Sequence, residues 1–72
     1  MEKLKAVIGV PDDKEDFVIE LYSDTTDEAF AEIERQGNTL SMKIYNRTKL
    51  DNWHIDLNEL FEILKKAKFE LQ

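Results

Sequence analysis

Few side chains in this 72-residue chain are suited to covalent or acid–base chemistry, and their spacing limits what they do. Cysteine is absent and His54 is the single histidine. A thiolate nucleophile or thiolate metal site is therefore excluded. A hydrolytic triad requires His54 beside Ser23 or Ser41 with an acid behind it, yet neither serine sits in a nucleophile elbow or a glycine-rich turn. Glu32 and Glu34 are a spaced carboxylate pair, but on a solvated strand face nothing tunes one against the other for general acid–base work. Asp12, Asp13, Glu15 and Asp16 crowd one turn, and Asp24, Asp27 and Glu28 the next. Oxygen-rich turns attract hard cations, but the EF-hand spacing with its central glycine and twelfth-position glutamate is missing. These segments read as solvated turns. No catalytic residue, metal ligand or cofactor is expected.

Binding is the remaining chemistry. The formal charge is −6, with eleven acids against four bases in residues 1–36 and five against six in residues 37–72. Affinity for nucleic acid comes largely from lysine and arginine neutralising phosphates, so direct nucleic-acid binding is disfavoured. The run Lys43, Tyr45, Arg47, Lys49 and Trp53 is the one basic and aromatic stretch, a weak signal in an acidic chain. A protein partner with a basic surface suits the charge better. The bland alternative is that the acidity only keeps the chain in solution.

The elements that position these residues follow from hydrophobic periodicity. Leu4, Ala6, Ile8 and Val10 alternate with Lys3, Lys5, Val7 and Gly9, the period of a strand. Pro11 to Asp16 is a turn. Asp16 to Ser23 is a second strand, with Phe17, Ile19 and Leu21 on one face and Val18, Glu20 and Tyr22 on the other. Residues 28–36 have two readings. Thr25 with Glu28 forms a helical capping box and Gly37 a helix C-cap. A strand instead places Ala29, Ala31 and Ile33 opposite Phe30, Glu32 and Glu34, and meets Thr39–Asn46 across the Gly37-Asn38 hairpin link. The strand is preferred. Asn46–Asn52 is a polar loop, and Trp53-His54-Ile55 a short extended piece. Asp56 with Glu59 is an N-terminal helix signature, followed by Leu57, Leu60, Phe61, Leu64, Ala67, Lys68 and Leu71 at helical spacing. In the expected core, Phe17, Ile19, Leu21, Ala31, Ile33, Leu40, Met42 and Ile44 of the sheet meet Leu57, Leu60, Phe61 and Leu64 of the helix.

Residues 1–72 thus form a single α+β domain, an antiparallel β-meander of three to four strands with one C-terminal α-helix packed on one face. A chain this short buries only roughly 60% of its unfolded surface and leaves no room for a buried pocket of substrate size. No apolar run is long enough for a signal peptide or a membrane span, so the expected location is the cytoplasm. The helix covers one sheet face. The other presents Glu20, Tyr22, Phe30, Glu32, Glu34 and Tyr45, where aromatic anchors mixed with acids suit a protein interface.

Several segments resemble a loose group of small bacterial proteins: Ile19-Glu20-Leu21-Tyr22, Phe30-Ala31-Glu32-Ile33, Gly37 with Leu40, Ile44-Tyr45, Trp53, and the helix from Leu57 through Glu59, Leu60, Glu62 and Leu64 to Ala67-Lys68. That group has a β-meander, a tryptophan before the helix and a C-terminal helix, and it includes immunity proteins and antitoxins of bacterial toxin systems. The resemblance covers about residues 16–71 and supports the strand reading of residues 28–36. It implies a stoichiometric inhibitor that binds a basic toxin domain, often a nuclease. The alternatives are a phage- or plasmid-encoded mimic of nucleic acid and a structural homodimer.

Overall fold

The structure, a computed structural model, describes residues 1–10, 16–47 and 52–71. The turn expected at Pro11–Asp16, with its acidic cluster at Asp12, Asp13 and Glu15, lies mostly outside the described residues, as do Lys49 and much of the Asn46–Asn52 loop. Strands β1 (Leu4–Gly9), β2 (Val18–Ser23), β3 (Ala29–Gln36) and β4 (Thr39–Ile44) form one antiparallel sheet in the order β1-β2-β3-β4. Helix α1 (Leu57–Leu71) follows. The chain is an α+β meander, and the segment with two readings, residues 28–36, is strand over Ala29–Gln36. Gly37 holds a φ of 63° at the first position of the β3–β4 link, a left-handed conformation that glycine adopts without strain. No helix among the described residues is long and apolar enough to cross a membrane.

Leu4, Ile19, Leu21, Phe30, Ala31, Ile33, Ala67 and Leu71 make the core, with Leu40, Met42, Trp53, Ile55, Leu60 and Ile63 packed around it. Three expectations fail here. Phe30 is not on the open face, because the β2–β3 register shifts between Leu21 and Tyr22. Leu21 faces Ala31 while Tyr22 faces Ala29, which makes Phe30 the extra residue of a β-bulge. Its ring is 5% exposed and meets Trp53 edge-on at 5.2 Å. The helix phase also differs. Leu60, Ile63, Ala67 and Leu71 pack on the sheet, while Leu57, Phe61 and Leu64 are exposed. Phe17 and Ile44, expected in the core, are exposed as well.

The phase follows from how α1 crosses the sheet. Asp56 accepts the Glu59 N–H at 3.2 Å, as an N-cap does. Glu59 does not complete a capping box; its Oε1 accepts the Leu4 N–H of β1 at 3.0 Å. At the other end Leu71 lies with Leu40 beside Gly37 and Asn38 of the β3–β4 hairpin. The helix therefore runs diagonally, from the start of β1 to the start of β4. It leaves one corner open beside β1 and the other beside the end of β4.

The segment leading into α1 is held by one cation. Arg47 donates to both carboxylate oxygens of Glu2, at 2.6 and 2.8 Å, to Glu28 at 3.2–3.3 Å, and to the Asn52 carbonyl at 3.1 Å. Its guanidinium lies 4.4 Å over the Trp53 ring. Glu2 also accepts from the buried Ser23 hydroxyl at 3.0 Å, and it joins Ile55 in a parallel bridge through bonds to His54 and Asp56. The extended piece expected at residues 53–55 is thus tied to the chain start.

The Arg47 hydrogen bond, joined by Ser23 and opposed by burial, holds the Glu2 carboxyl below the usual carboxylate range. As pH falls, the unfolded chain takes up this proton before the folded one, so stability declines through and below the ordinary glutamate range. Asp16, held low chiefly by Arg35, acts in the same direction. In urea unfolding followed across acidic pH, Glu2→Gln should show a shallower acid decline than the native chain. In the same assay near neutral pH and at low protein concentration, Leu21→Ala should cost about 2–5 kcal/mol, whereas Leu57→Ala on the exposed flank should stay within about 0.5 kcal/mol.

Candidate protein-binding face

Alternation along each strand sends every second side chain to the sheet face away from α1. Register then assembles them into rows. Val7, Glu20, Glu32 and Lys43 form one row across the four strands, and Gly9, Val18, Glu34 and Ser41 the next. Lys5 and Tyr22 continue the face toward the bulge. Of the residues expected to contact a partner, Glu20, Tyr22, Glu32, Glu34 and Tyr45 share this face, and all are half-buried. Phe30 has left it for the core. Val18, also expected on this face, is in register with it but fully buried.

Glu20 stands directly opposite Glu32. Like charges facing one another across a strand pair are destabilising, so this pair opposes the fold in isolation. Two tyrosines answer it. The Tyr22 hydroxyl donates to Glu20 Oε2, and the Tyr45 hydroxyl donates to Glu32 Oε2 at 2.8 Å. Each carboxylate is thus hydrogen-bonded by a phenol. Lys43 lies opposite Glu32 and extends its ammonium over the Tyr45 ring, 5.4 Å from the centroid. Gln36 donates to Glu34 at 3.1 Å.

The phenols report this arrangement. The hydrogen bond to Glu32, reinforced by desolvation and by the neighbouring charges, pushes the Tyr45 hydroxyl up to about 12. The Glu20 hydrogen bond raises Tyr22 in the same way. Ionising either phenol would set an oxyanion against a carboxylate. Both therefore remain proton donors at neutral pH, two neutral aromatic rings framed by acids.

The other candidate constellations are used differently. Ser23 is fully buried; its oxygen donates to Glu2 and accepts the Thr25 and Thr26 N–H groups at 3.3 Å. Asp27 pairs with Lys5, and Glu28 with Arg47. Among the described residues no three metal-ligating side chains converge. In the basic and aromatic run, Arg47 is committed to Glu2, Glu28 and Trp53, and Tyr45 to Glu32. The clamping role of Arg47 was not visible in the sequence, since its partner Glu2 lies 45 positions away.

At the β1 corner an open-sided groove of about 420 Å³ lies between the sheet and α1. Ala6, Ile8 and Ile63 are among its apolar walls, and Glu62, Lys66 and Glu70 stand among the charged residues that line it. Its volume reaches the range of ligand sites, which chain length alone did not lead one to expect, though it is a surface groove and not a buried pocket. Comparison with protein-family models, characterised proteins and solved structures finds no match to the chain.

The tyrosine–glutamate pairing can be read directly. In a UV-difference alkaline titration, Glu32→Gln should bring the Tyr45 transition down from about 12 toward the ordinary tyrosine value while leaving the Tyr22 transition above its ordinary value, because Glu20 still accepts its proton.

Proposed function

We propose that this chain is a binding domain without catalytic chemistry of its own, which docks a basic protein surface onto the open sheet face through Glu20, Tyr22, Glu32, Glu34 and Tyr45. The observation that carries the reading is the Glu20–Glu32 pair, two facing carboxylates each hydrogen-bonded by a tyrosine. Facing acids repel one another, and a partner's cation placed between or above them adds to what Lys43, opposite Glu32, already offsets. A lysine or arginine from a partner is matched to this position, because arginine in particular pairs with carboxylates and stacks on aromatic rings. The tyrosine rings supply apolar contact area close to the charges, the usual composition of an interface anchor. The acidic N-terminal half adds long-range attraction for such a partner.

The particular form supported by the sequence resemblance is an immunity protein or antitoxin that occupies the basic cleft of a toxin domain, a nuclease being the natural case. Stoichiometric inhibition then follows from blocking the cleft, and the location appropriate to that role is the cytoplasm. A mimic of nucleic acid shares the acidic face but depends on carboxylate spacing and not on the tyrosines.

The test is co-expression with the product of the adjacent gene, followed by purification and binding kinetics. Complex formation is expected to slow with rising salt. Glu20→Lys and Glu32→Lys should each slow association by roughly tenfold, and Tyr45→Ala should speed dissociation. Glu62→Lys, on the opposite side of the molecule, should leave both rates near the native values. Binding unaffected by all three face substitutions would remove this face as the site. Displacement of the partner by plain duplex DNA, with Tyr45→Ala silent, would favour the mimic.

A further inference from the structure

The edge strand β4 combines three features. The Tyr45 N–H donates to the Phe30 carbonyl at 2.8 Å, and the β3–β4 register continues from that pair. Because hydrogen-bonded and non-hydrogen-bonded pairs alternate in an antiparallel ladder, Ser41 and Lys43 aim their backbone groups at β3. Leu40, Met42 and Ile44 aim theirs outward, and no strand lies beyond them among the described residues. The side chains of these same three residues stand on the α1 side of the sheet, with Met42 opposite Ile33 and Ile44 opposite Ala31. Beside them lies the second corner that the diagonal helix does not cover, with Trp53 packed at its edge against Phe30. The α1 flank carrying Glu62, Lys66 and Glu70 lines the groove at β1, so helical spacing turns toward β4 the flank carrying Leu57, Phe61 and Leu64, with Lys68 farther along it. Ile44 is 59% exposed, Leu57 68% and Phe61 61%. Exposed apolar surface, where it is contiguous, marks an interaction site.

We propose that the occupant is a second copy of this chain, paired antiparallel through β4 about a two-fold axis at Met42. In that register Met42 faces Met42, and Leu40 of each copy faces Ile44 of the other. Every one of these residues directs its backbone outward, so each facing pair can exchange two hydrogen bonds. The apolar side chains then run unbroken across the junction. Each exposed corner comes to lie beside the second copy's helix end, where Leu71 packs near Leu40. Charge permits this edge above the others. Lys43 falls opposite Ser41 of the second copy, not opposite itself, and already faces its own Glu32. The acids that repel another copy are concentrated in residues 1–36. The opposite edge is guarded: Lys5 lies in β1 with Lys3 just before it, and Glu59 already takes the outward Leu4 N–H. Pairing through β4 leaves the face of Glu20, Tyr22 and Glu32 open and doubles it into one continuous eight-stranded surface.

Sedimentation equilibrium of the full chain up to roughly millimolar concentration tests this, with the dissociation constant as readout. A monomer–dimer equilibrium is expected. Ile44→Lys and Phe61→Lys should each weaken it by about tenfold or more, while Phe69→Lys, on an exposed part of α1 away from the patch, should leave it unchanged. Amide exchange at Leu40, Met42 and Ile44 should slow as concentration rises. Phe61→Lys changes an exposed helix position, so it reports even where Ile44→Lys disturbs β4, as circular dichroism would show. A monomer throughout the range overturns the proposal. So does a dimer that survives both substitutions, or one abolished by Ile8→Lys on β1 instead.

Discussion

A single guanidinium, that of Arg47, lies between Glu2 and Glu28 and over the Trp53 ring. It joins the chain start, the turn between β2 and β3, and the segment entering α1. Arginine suits this junction because its planar fork of five donors can serve two carboxylates and a carbonyl while its face stacks on an indole. The chain has no cysteine to cross-link these segments, and its short helix touches the sheet along a narrow diagonal. Without the cation, Glu2 and Glu28 would stand near one another without the counter-charge they share. Ser23, fully buried, would then donate to a carboxylate that had lost its counter-charge. The edge strand β1 reaches its place beside β2 next to this cluster, and the Glu2–Ile55 bridge sets where the helix begins.

The binding face is built outward from the same junction. Tyr45 belongs to both. Its backbone N–H bonds Phe30 and its carbonyl accepts the Trp53 indole N–H at 3.0 Å, while its hydroxyl reaches Glu32 on the opposite side of the sheet. The order of the clamp therefore sets the height and angle of one of the two phenols that hold the facing carboxylates. The bulge at Phe30 serves the same end. By adding a residue to β3 it drops an aromatic ring into the core against Trp53 and returns Ala29, a small side chain, to the position opposite Tyr22.

The two sides of the sheet divide the work. The open side keeps its polar character through paired acids and phenols. The helix side buries its centre but exposes two corners, because a single fifteen-residue helix laid diagonally cannot cover four strands. One corner is a groove with a charged rim at the guarded edge β1. The other, beside the end of β4, exposes Ile44 next to Trp53. That asymmetry, more than the net charge, distinguishes one edge of this protein from the other.

Much of this was written in local pattern. Period-two alternation identified the strands, Gly37-Asn38 the hairpin and Asp56 the helix start, because each depends on dihedral preferences and neighbours a few residues apart. The alternation also placed Glu20, Tyr22, Glu32, Glu34 and Tyr45 on a common face. Local pattern misplaced Phe30, since a bulge interrupts the alternation without any glycine or proline to announce it. It misjudged the helix phase because Leu57, Leu60, Phe61, Ile63, Leu64, Ala67 and Leu71 form an apolar arc wider than the strip a helix buries. Which part of the arc turns inward is decided by the crossing angle, set at one end by Glu59 on Leu4 and at the other by Leu71 near Leu40. And it left Arg47 in a loop, since an ion pair between residues 2 and 47 exists only once the chain has brought its start and its third quarter together. The sequence by itself determined the elements and the charge they carry. Tertiary structure alone decided which charges meet, because that rests on contacts between segments that no local spacing connects.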